Sequence, residues 1–370
     1  MRWLVIEPRV SGHHAVYLER IVEGALENGI EVILGTSARE STADFCERLT
    51  TIHAGKPLSV ILEPMPAACG AYGSLGASIR REIGYLRYFR RVYERAVAKD
   101  SIDRVFIPYL DYCYNAMGIL GSPFKGTRVE GICMGPTFHF RDVGVVAPRK
   151  KADPLKRRVF LRFLGLSSVG RVFCLDPTFS PYFRSRGLPH ASKLLFFPDP
   201  AEFVGEHTRE SARAALGIPA NAKVLLLYGS LDVRKGVEAL LDRLRDPSSD
   251  ATTHVLLVGR QTAAVAELLQ RARAGGPWIS EKLHEVKGFV TPQQEQMVFA
   301  AADTAWLKYE GFYQMSGVLV KAVKAHLDLE LPDTGLLGWY KKALARGEAP
   351  DFSENDWSHV KALLFETTSR

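Results

Sequence analysis

Cysteine is scarce and unpatterned, with five in 370 residues (Cys46, Cys69, Cys113, Cys133, Cys174) and no C-x-x-C pair. An odd, scattered set excludes a disulfide framework and offers no zinc-ligand spacing, which fits a reducing compartment. Long apolar runs are missing as well. None approaches the roughly 18 residues that a membrane-spanning helix needs. The N-terminal run Trp3–Ile6 ends at Glu7 and is too short for the core of a secretory signal. The expectation is a cytoplasmic protein. G-x-G-x-x-G is absent, so no dinucleotide redox cofactor is indicated, and G-x-x-x-x-G-K-S/T is absent too. No RNP, KH or zinc pattern accompanies the basic stretches, so nucleic acid is not an expected partner.

What is present is an ordinary globular balance, 46% hydrophobic and 24% charged, with 48 Lys+Arg against 41 Asp+Glu for a net charge of +7. That surplus suits an acidic partner without selecting one. Short apolar runs alternate with longer amphipathic segments throughout. Trp3–Glu7, Glu31–Leu34, Leu58–Leu62, Arg104–Ile107, Arg128–Cys133 and Arg171–Leu175 read as strands separated by helices. Runs apolar throughout fit strands covered on both faces, hence a parallel sheet between helix layers. Leu194–Pro200, with two prolines in its last three residues, reads as an inter-domain connector. A second series follows, with strands at Lys223–Tyr228, His254–Val258, Glu285–Phe289 and Thr304–Leu307. The pattern predicts an α/β protein of two Rossmann-like domains facing across a cleft, joined near residue 200. Leu336–Arg346 and Glu354–Leu364 read as terminal helices, the last of which could cross back onto the first domain.

Two stretches carry chemistry. In Tyr228–Gly236 a strand ends in Gly229-Ser230-Leu231-Asp232-Val233-Arg234-Lys235-Gly236 and a helix follows. Small residues let backbone amides approach an anion, a helix N-terminus favours negative charge, and Arg234 and Lys235 add full charges. In Lys308–Gly317 another strand ends in a loop carrying Glu310, and Ser316 and Gly317 open a helix. Their amides would form a second phosphate-sized site, and Glu310 would accept from sugar hydroxyls or face a developing positive charge. Each stretch alone also reads as a solvated turn with an ordinary helix start.

Taken together with Val286–Val290 and the Ala301-Ala302-Asp303 helix end, the two stretches resemble the retaining, nucleotide-sugar-dependent group of GT-B, twin-Rossmann glycosyltransferases. Gly229, Leu231, Lys235 and Gly236 match that group's G-x-L-x-x-x-K-G turn, and Glu310, Gly311 and Phe312 match its E-G-F motif. The resemblance spans roughly residues 205–326. It implies a donor site of Gly229, Ser230, Arg234, Lys235, Ser316 and Gly317, with Glu310 beside the donor sugar and no metal or cofactor. Two positions depart from the pattern. Ser230 stands where the group usually has Arg, and Val318 stands where its second glutamate, normally at the nucleotide ribose, would fall. A three-residue slip puts Lys321 there instead.

By the same resemblance residues 1–200 would meet the acceptor, 201–345 the nucleotide sugar, and 346–370 would form the C-terminal helix. Gly12, His13 and His14, between the first strand and its helix, match the group's acceptor loop. His139 is the best match for a histidine that contacts the transferred sugar. Arg80, Arg87, Arg90 and Arg91, interleaved with Tyr85, Tyr88 and Phe89, could lie on an anionic bilayer at the inner face of the membrane, or the aromatics could face the core. The implied function is sugar transfer from a nucleotide sugar to a glycan or lipid-linked glycan, as in polysaccharide biosynthesis. The departures leave a rival, a degenerate member that binds without transferring. A third reading is a sugar-nucleotide epimerase. Asp328-Leu329-Glu330 sits in a stretch that reads as irregular and is not taken as a metal site.

Overall fold

The computed structural model describes residues 1–70, 75–245, 251–274, 276–352 and 355–365. Contacts divide the chain into two units, one comprising Met1–Val143, Pro148–Pro198 and Ser358 onward, the other Gly144–Ala147 and Asp199–Trp357. The short segment Gly144–Ala147 is drawn into the second unit by the Gly335 amide, which donates to the Val146 carbonyl at 2.8 Å.

The first unit is built on seven parallel strands, β1 (Arg2–Ile6), β2 (Glu31–Ser37), β3 (Leu58–Glu63), β4 (Arg104–Ile107), β5 (Arg128–Cys133), β6 (Val169–Cys174) and β7 (Leu194–Phe196). They lie in the order β3-β2-β1-β4-β5-β6-β7. β7 corrects the reading of Leu194–Pro200 as connector alone. Its three residues pair with β6 before Pro198 stops the ladder. The strand series reverses direction between β1 and β4, and the carboxyl ends there form the usual ligand crevice of such sheets. Tyr85, Tyr88, Phe89 and Val92 of the helix Leu75–Val97 enter the core over this sheet. The aromatics of the basic run therefore face inward, Arg80, Arg87 and Arg90 are exposed, and Arg91 pairs with Glu63 at 2.5 Å.

The second unit has five parallel strands, β8 (Lys223–Tyr228), β9 (Thr253–Gly259), β10 (Leu283–Lys287), β11 (Thr304–Trp306) and β12 (Asp328–Glu330), in the order β10-β9-β8-β11-β12. β9, Thr-His-Val-Leu-Leu-Val-Gly, is buried along its whole length, as a strand between two helix layers requires. The Asp328–Glu330 triplet, read above as irregular, forms the edge strand. Glu330 pairs with Lys308 at 2.8 Å and Arg243 at 3.7 Å.

The last helix, Trp357–Phe365, starts later than the predicted Glu354, which lies outside the described residues. Phe365 stacks on Trp3 with ring centres 5.3 Å apart, and Lys361 pairs with Glu27 at 2.7 Å. Its carbonyls of Leu363 and Leu364 accept from Arg171 at 3.0 and 2.8 Å. Arg171 in turn belongs to a charge cluster centred on Glu130 of β5, whose fully buried carboxylate accepts from Arg104 at 2.8 Å, Arg128 at 2.9 Å and Arg171 at 3.0 Å. Replacing Glu130 by Ala leaves enclosed guanidinium groups without their counter-charge. That should cost about 3–5 kcal/mol, read as a lower urea midpoint, and Glu130→Gln should cost less.

Candidate functional site

In the second unit β8 and β11 are neighbours, so the loops leaving their carboxyl ends meet at the point where strand order reverses. Lys235 sits on a short turn, Val233–Lys235, and its Nζ donates to the Tyr228 carbonyl at 3.3 Å. The same ammonium lies 4.0 Å from the centre of the Tyr309 ring, on the β11 loop. Desolvation lowers its pKa to about 8. The two loops are also joined by backbone, since the Glu310 amide donates to the Arg234 carbonyl at 2.7 Å. Gly236 makes this approach feasible. Its φ is 72°, and a Cβ there would lie 2.6 Å from the Lys308 carbonyl oxygen. Gly229 and Ser230 begin the turn beside Lys235, while Arg234 is exposed and pairs with Asp232 at 2.7 Å.

Ser316 precedes the helix Gly317–Lys324 and is buried, and its side chain makes no capping bond to the helix amides. The Asp199 carboxylate packs directly against Gly317, in the space a side chain at 317 would need. Glu310 is exposed. Lys321, one turn into the helix, forms an ion pair with Glu295 of the helix Pro292–Ala301, and the Tyr228 hydroxyl donates to the same carboxylate. Val318, at the position of the second glutamate, is half-buried.

In the first unit the carboxyl ends of β1 and β4 hold a cluster around Glu7. This residue is fully buried, and burial raises its carboxyl pKa. Its Oε1 lies 3.3 Å from His14 Nδ1, accepts from the Tyr112 hydroxyl at 3.3 Å and from the Arg9 amide at 3.0 Å. His14 also stacks on Tyr109, with ring centres 4.1 Å apart. Gly12 starts the helix His13–Glu27, and His13 is exposed and packs on Tyr17. His139 lies elsewhere in this unit. It is fully buried among Phe138, Phe140, Phe179 and Tyr182, with Nε2 2.9 Å from Asp176 and 3.0 Å from Thr178 Oγ1.

The structure thus brings Gly229, Ser230, Arg234, Lys235 and Glu310 to one pair of loops, and His14 to a second strand-end cluster. Glu7, Tyr109, Tyr112, Tyr309, Glu295 and Asp199 were not singled out from sequence as parts of these clusters. For Glu7 a signal existed, an acid directly after an apolar strand in the first β-α turn. Glu295 is masked by a capping box, Thr291 with Gln294, that makes it read as a helix-start acid. Among the described residues no group of three or more His, Cys, Asp or Glu could hold a metal ion.

No family model matches the chain, and a search of curated proteins finds no match. Solved structures do match. Sucrose-phosphate synthase from Thermosynechococcus elongatus is similar over 99% of this chain and 98% of its own, at TM-score 0.63 and 15% identity. HepE from Anabaena, solved with UDP, is similar over 100% of both chains, at TM-score 0.63 and 14% identity. WaaG, a glycosyltransferase involved in lipopolysaccharide biosynthesis, is similar over 100% of this chain and 96% of its own, at TM-score 0.52 and 14% identity. These neighbours are GT-B glycosyltransferases. The chain has their fold, two Rossmann-like domains each on a parallel sheet.

An anion bound at Lys235 favours the charged ammonium, which the free protein loses as pH rises through about 8. Affinity for a small oxyanion such as pyrophosphate should therefore fall by up to about tenfold per pH unit above that point. Lys235→Arg should flatten the profile, and titration calorimetry from pH 7 upward measures both.

Proposed function

We propose that the chain is a glycosyltransferase that moves a sugar from a nucleoside-diphosphate donor, held by the second unit, to a glycan or lipid-linked glycan acceptor met by the first. The observation that carries this reading is Lys235, partly desolvated and propped on Tyr309 where the β8 and β11 loops join. A sugar–nucleotide bond breaks heterolytically, leaving positive charge on the sugar and negative charge on the diphosphate. Lys235 and Arg234, with the Ser316 and Gly317 amides, would stabilise the leaving group, and partial desolvation strengthens each such interaction. No metal is then needed for that charge. The exposed Glu310 carboxylate would take the sugar hydroxyls or the developing cation. Lys321, already neutralised by Glu295, would present its site to the ribose as a hydrogen-bonding pair and not as a free charge.

In the first unit Gly12, His13 and His14 would contact the acceptor, with Glu7 orienting His14. His139, enclosed and tied to Asp176 and Thr178, would hold the loop after β5 without touching the sugar. Retention of anomeric configuration follows from the likeness of the Gly229–Gly236 turn and the E-G-F motif to the retaining group. For a lipid-linked acceptor, exposed Arg80, Arg87 and Arg90 would face anionic headgroups.

A thermal-shift screen of UDP, GDP, ADP and TDP sugars should find one donor that raises the melting temperature. That donor should then be consumed with acceptor in the presence of EDTA, and Lys235→Ala should lower kcat/KM by about 100- to 1000-fold. Binding without turnover would identify the non-transferring alternative, and conversion of the donor to another sugar nucleotide without acceptor would identify an epimerase. No binding by any of the four overturns the reading.

A further inference from the structure

Three helices of the first unit, Leu75–Val97, Tyr114–Leu120 and Asp153–Gly165, pack one beside the next over its sheet. Their inner sides supply core residues, Phe89 and Val92 from the first, Met117 from the second, Phe160 and Phe163 from the third. Polar contacts align the first with the second. The Asn115 side chain and the Ala116 amide donate to Glu82 at 3.1 and 3.2 Å, and just past the second helix Thr127 meets the Tyr93 hydroxyl at 2.7 Å. The second and third helices close on Gly118, where a Cβ would lie 2.4 Å from the Val159 carbonyl oxygen.

This packing gathers three large aliphatic side chains without covering them. Ile119 and Leu120 follow Gly118 directly, and Leu155 lies one turn before Val159. They are 58%, 61% and 62% exposed. A single exposed leucine is ordinary, but three within a turn of one helix contact make a patch. Cations flank it on both sides. Lys151, Leu155, Arg158 and Arg162 recur at i, i+4, i+7 and i+11, a single outward stripe, and all four are exposed. On the first helix Arg87 and Arg90 are exposed between the Glu82 and Tyr93 contacts, alongside the second. Arg157 turns away from the stripe, toward Asp142 at 3.9 Å and the Tyr182 hydroxyl at 3.2 Å. Among the described residues of the three helices the acids are Glu82, engaged as above, Glu94, exposed one turn beyond Arg90, and Asp153, which accepts from the Lys150 amide at 3.3 Å. Aliphatic side chains ringed by arginine and lysine suit a surface that is anionic outside and hydrocarbon beneath.

We propose that the first unit docks on an anionic bilayer through this face. Ile119, Leu120 and Leu155 enter the acyl boundary, and Arg87, Arg90, Arg158 and Arg162 meet the headgroups. The inference rests on the headgroup reading of Arg87 and Arg90 given above, and adds to it an apolar anchor and a second basic helix. The donor site plays no part in it.

Co-sedimentation of the full chain with vesicles, in the absence of nucleotide, tests it. The probes are phosphatidylcholine vesicles with and without phosphatidylglycerol. The chain should bind the anionic vesicles roughly tenfold or more tighter than the neutral ones, and less tightly as salt rises. Arg158→Glu combined with Arg162→Glu should weaken binding roughly tenfold or more. Ile119→Ser and Leu155→Ser should each weaken it about fivefold, with an unchanged melting temperature reporting an intact fold. If Leu155→Ser does not fold, Leu155→Ala, which keeps the helix and shortens the side chain, should show a smaller loss. Failure to bind either vesicle, or equal binding to both, overturns the proposal. So do serine variants that bind like the parent chain, since charge alone would then hold it at the surface. A dimer seen by sedimentation velocity, dissolved by the serine variants and not by vesicles, assigns the patch to a second copy and overturns it too. Donor turnover by a chain that ignores vesicles leaves the transferase reading standing, and vesicle binding by a chain that takes no donor leaves this one standing.

Discussion

A parallel strand has to leave its sheet at one end and re-enter at the other, and that constraint organises both halves of this protein. Every β-to-α loop collects on one edge of its sheet. Where the order of strands reverses, two such loops start side by side and run to opposite faces, and sheets of this kind take their ligands there. At β8 and β11 the consequence is the meeting of Lys235 with Tyr309. At β1 and β4 it is the meeting of Glu7 and His14 with Tyr109 and Tyr112. The same device places an ammonium in one unit and a carboxylate in the other where solvent is scarce.

Scarcity of solvent has opposite thermodynamic signs for stability and for function. The lowered pKa of Lys235 and the raised pKa of Glu7 both record a cost of holding a charged group away from water. Neither residue is where an optimised core would place it. Glu130 differs, because three arginines surround it and its burial is matched by hydrogen-bonded counter-charge. The contrast separates a buried charge whose desolvation is matched by counter-charge from two whose desolvation is not.

Much of this was legible in the sequence, and what was not has a physical reason. Strong apolar runs such as Lys223–Tyr228 and Arg128–Cys133 match the observed strands, and the glycine-bearing turn after the former is where the pattern placed it. β7 and β12 have three residues each and owe their existence to a neighbour already in the sheet, which no local pattern announces. His13 and His14 look equivalent as neighbours in sequence, but helical rotation turns one outward and the other toward Glu7. Tyr85, Tyr88 and Phe89 read either as facing a bilayer or, slightly better, as facing the core, and the core holds them.

The grip of Arg171 on the final helix has a consequence for how the molecule can be divided. Because residues from Ser358 onward group with the N-terminal sheet, the polypeptide passes from the first unit to the second and back again. Excising the first 198 residues would therefore remove a sheet from the segment that covers Trp3 and satisfies Arg171, while the remainder would carry an orphaned apolar helix. The two halves are distinct in packing yet are not modules that a single cut can release.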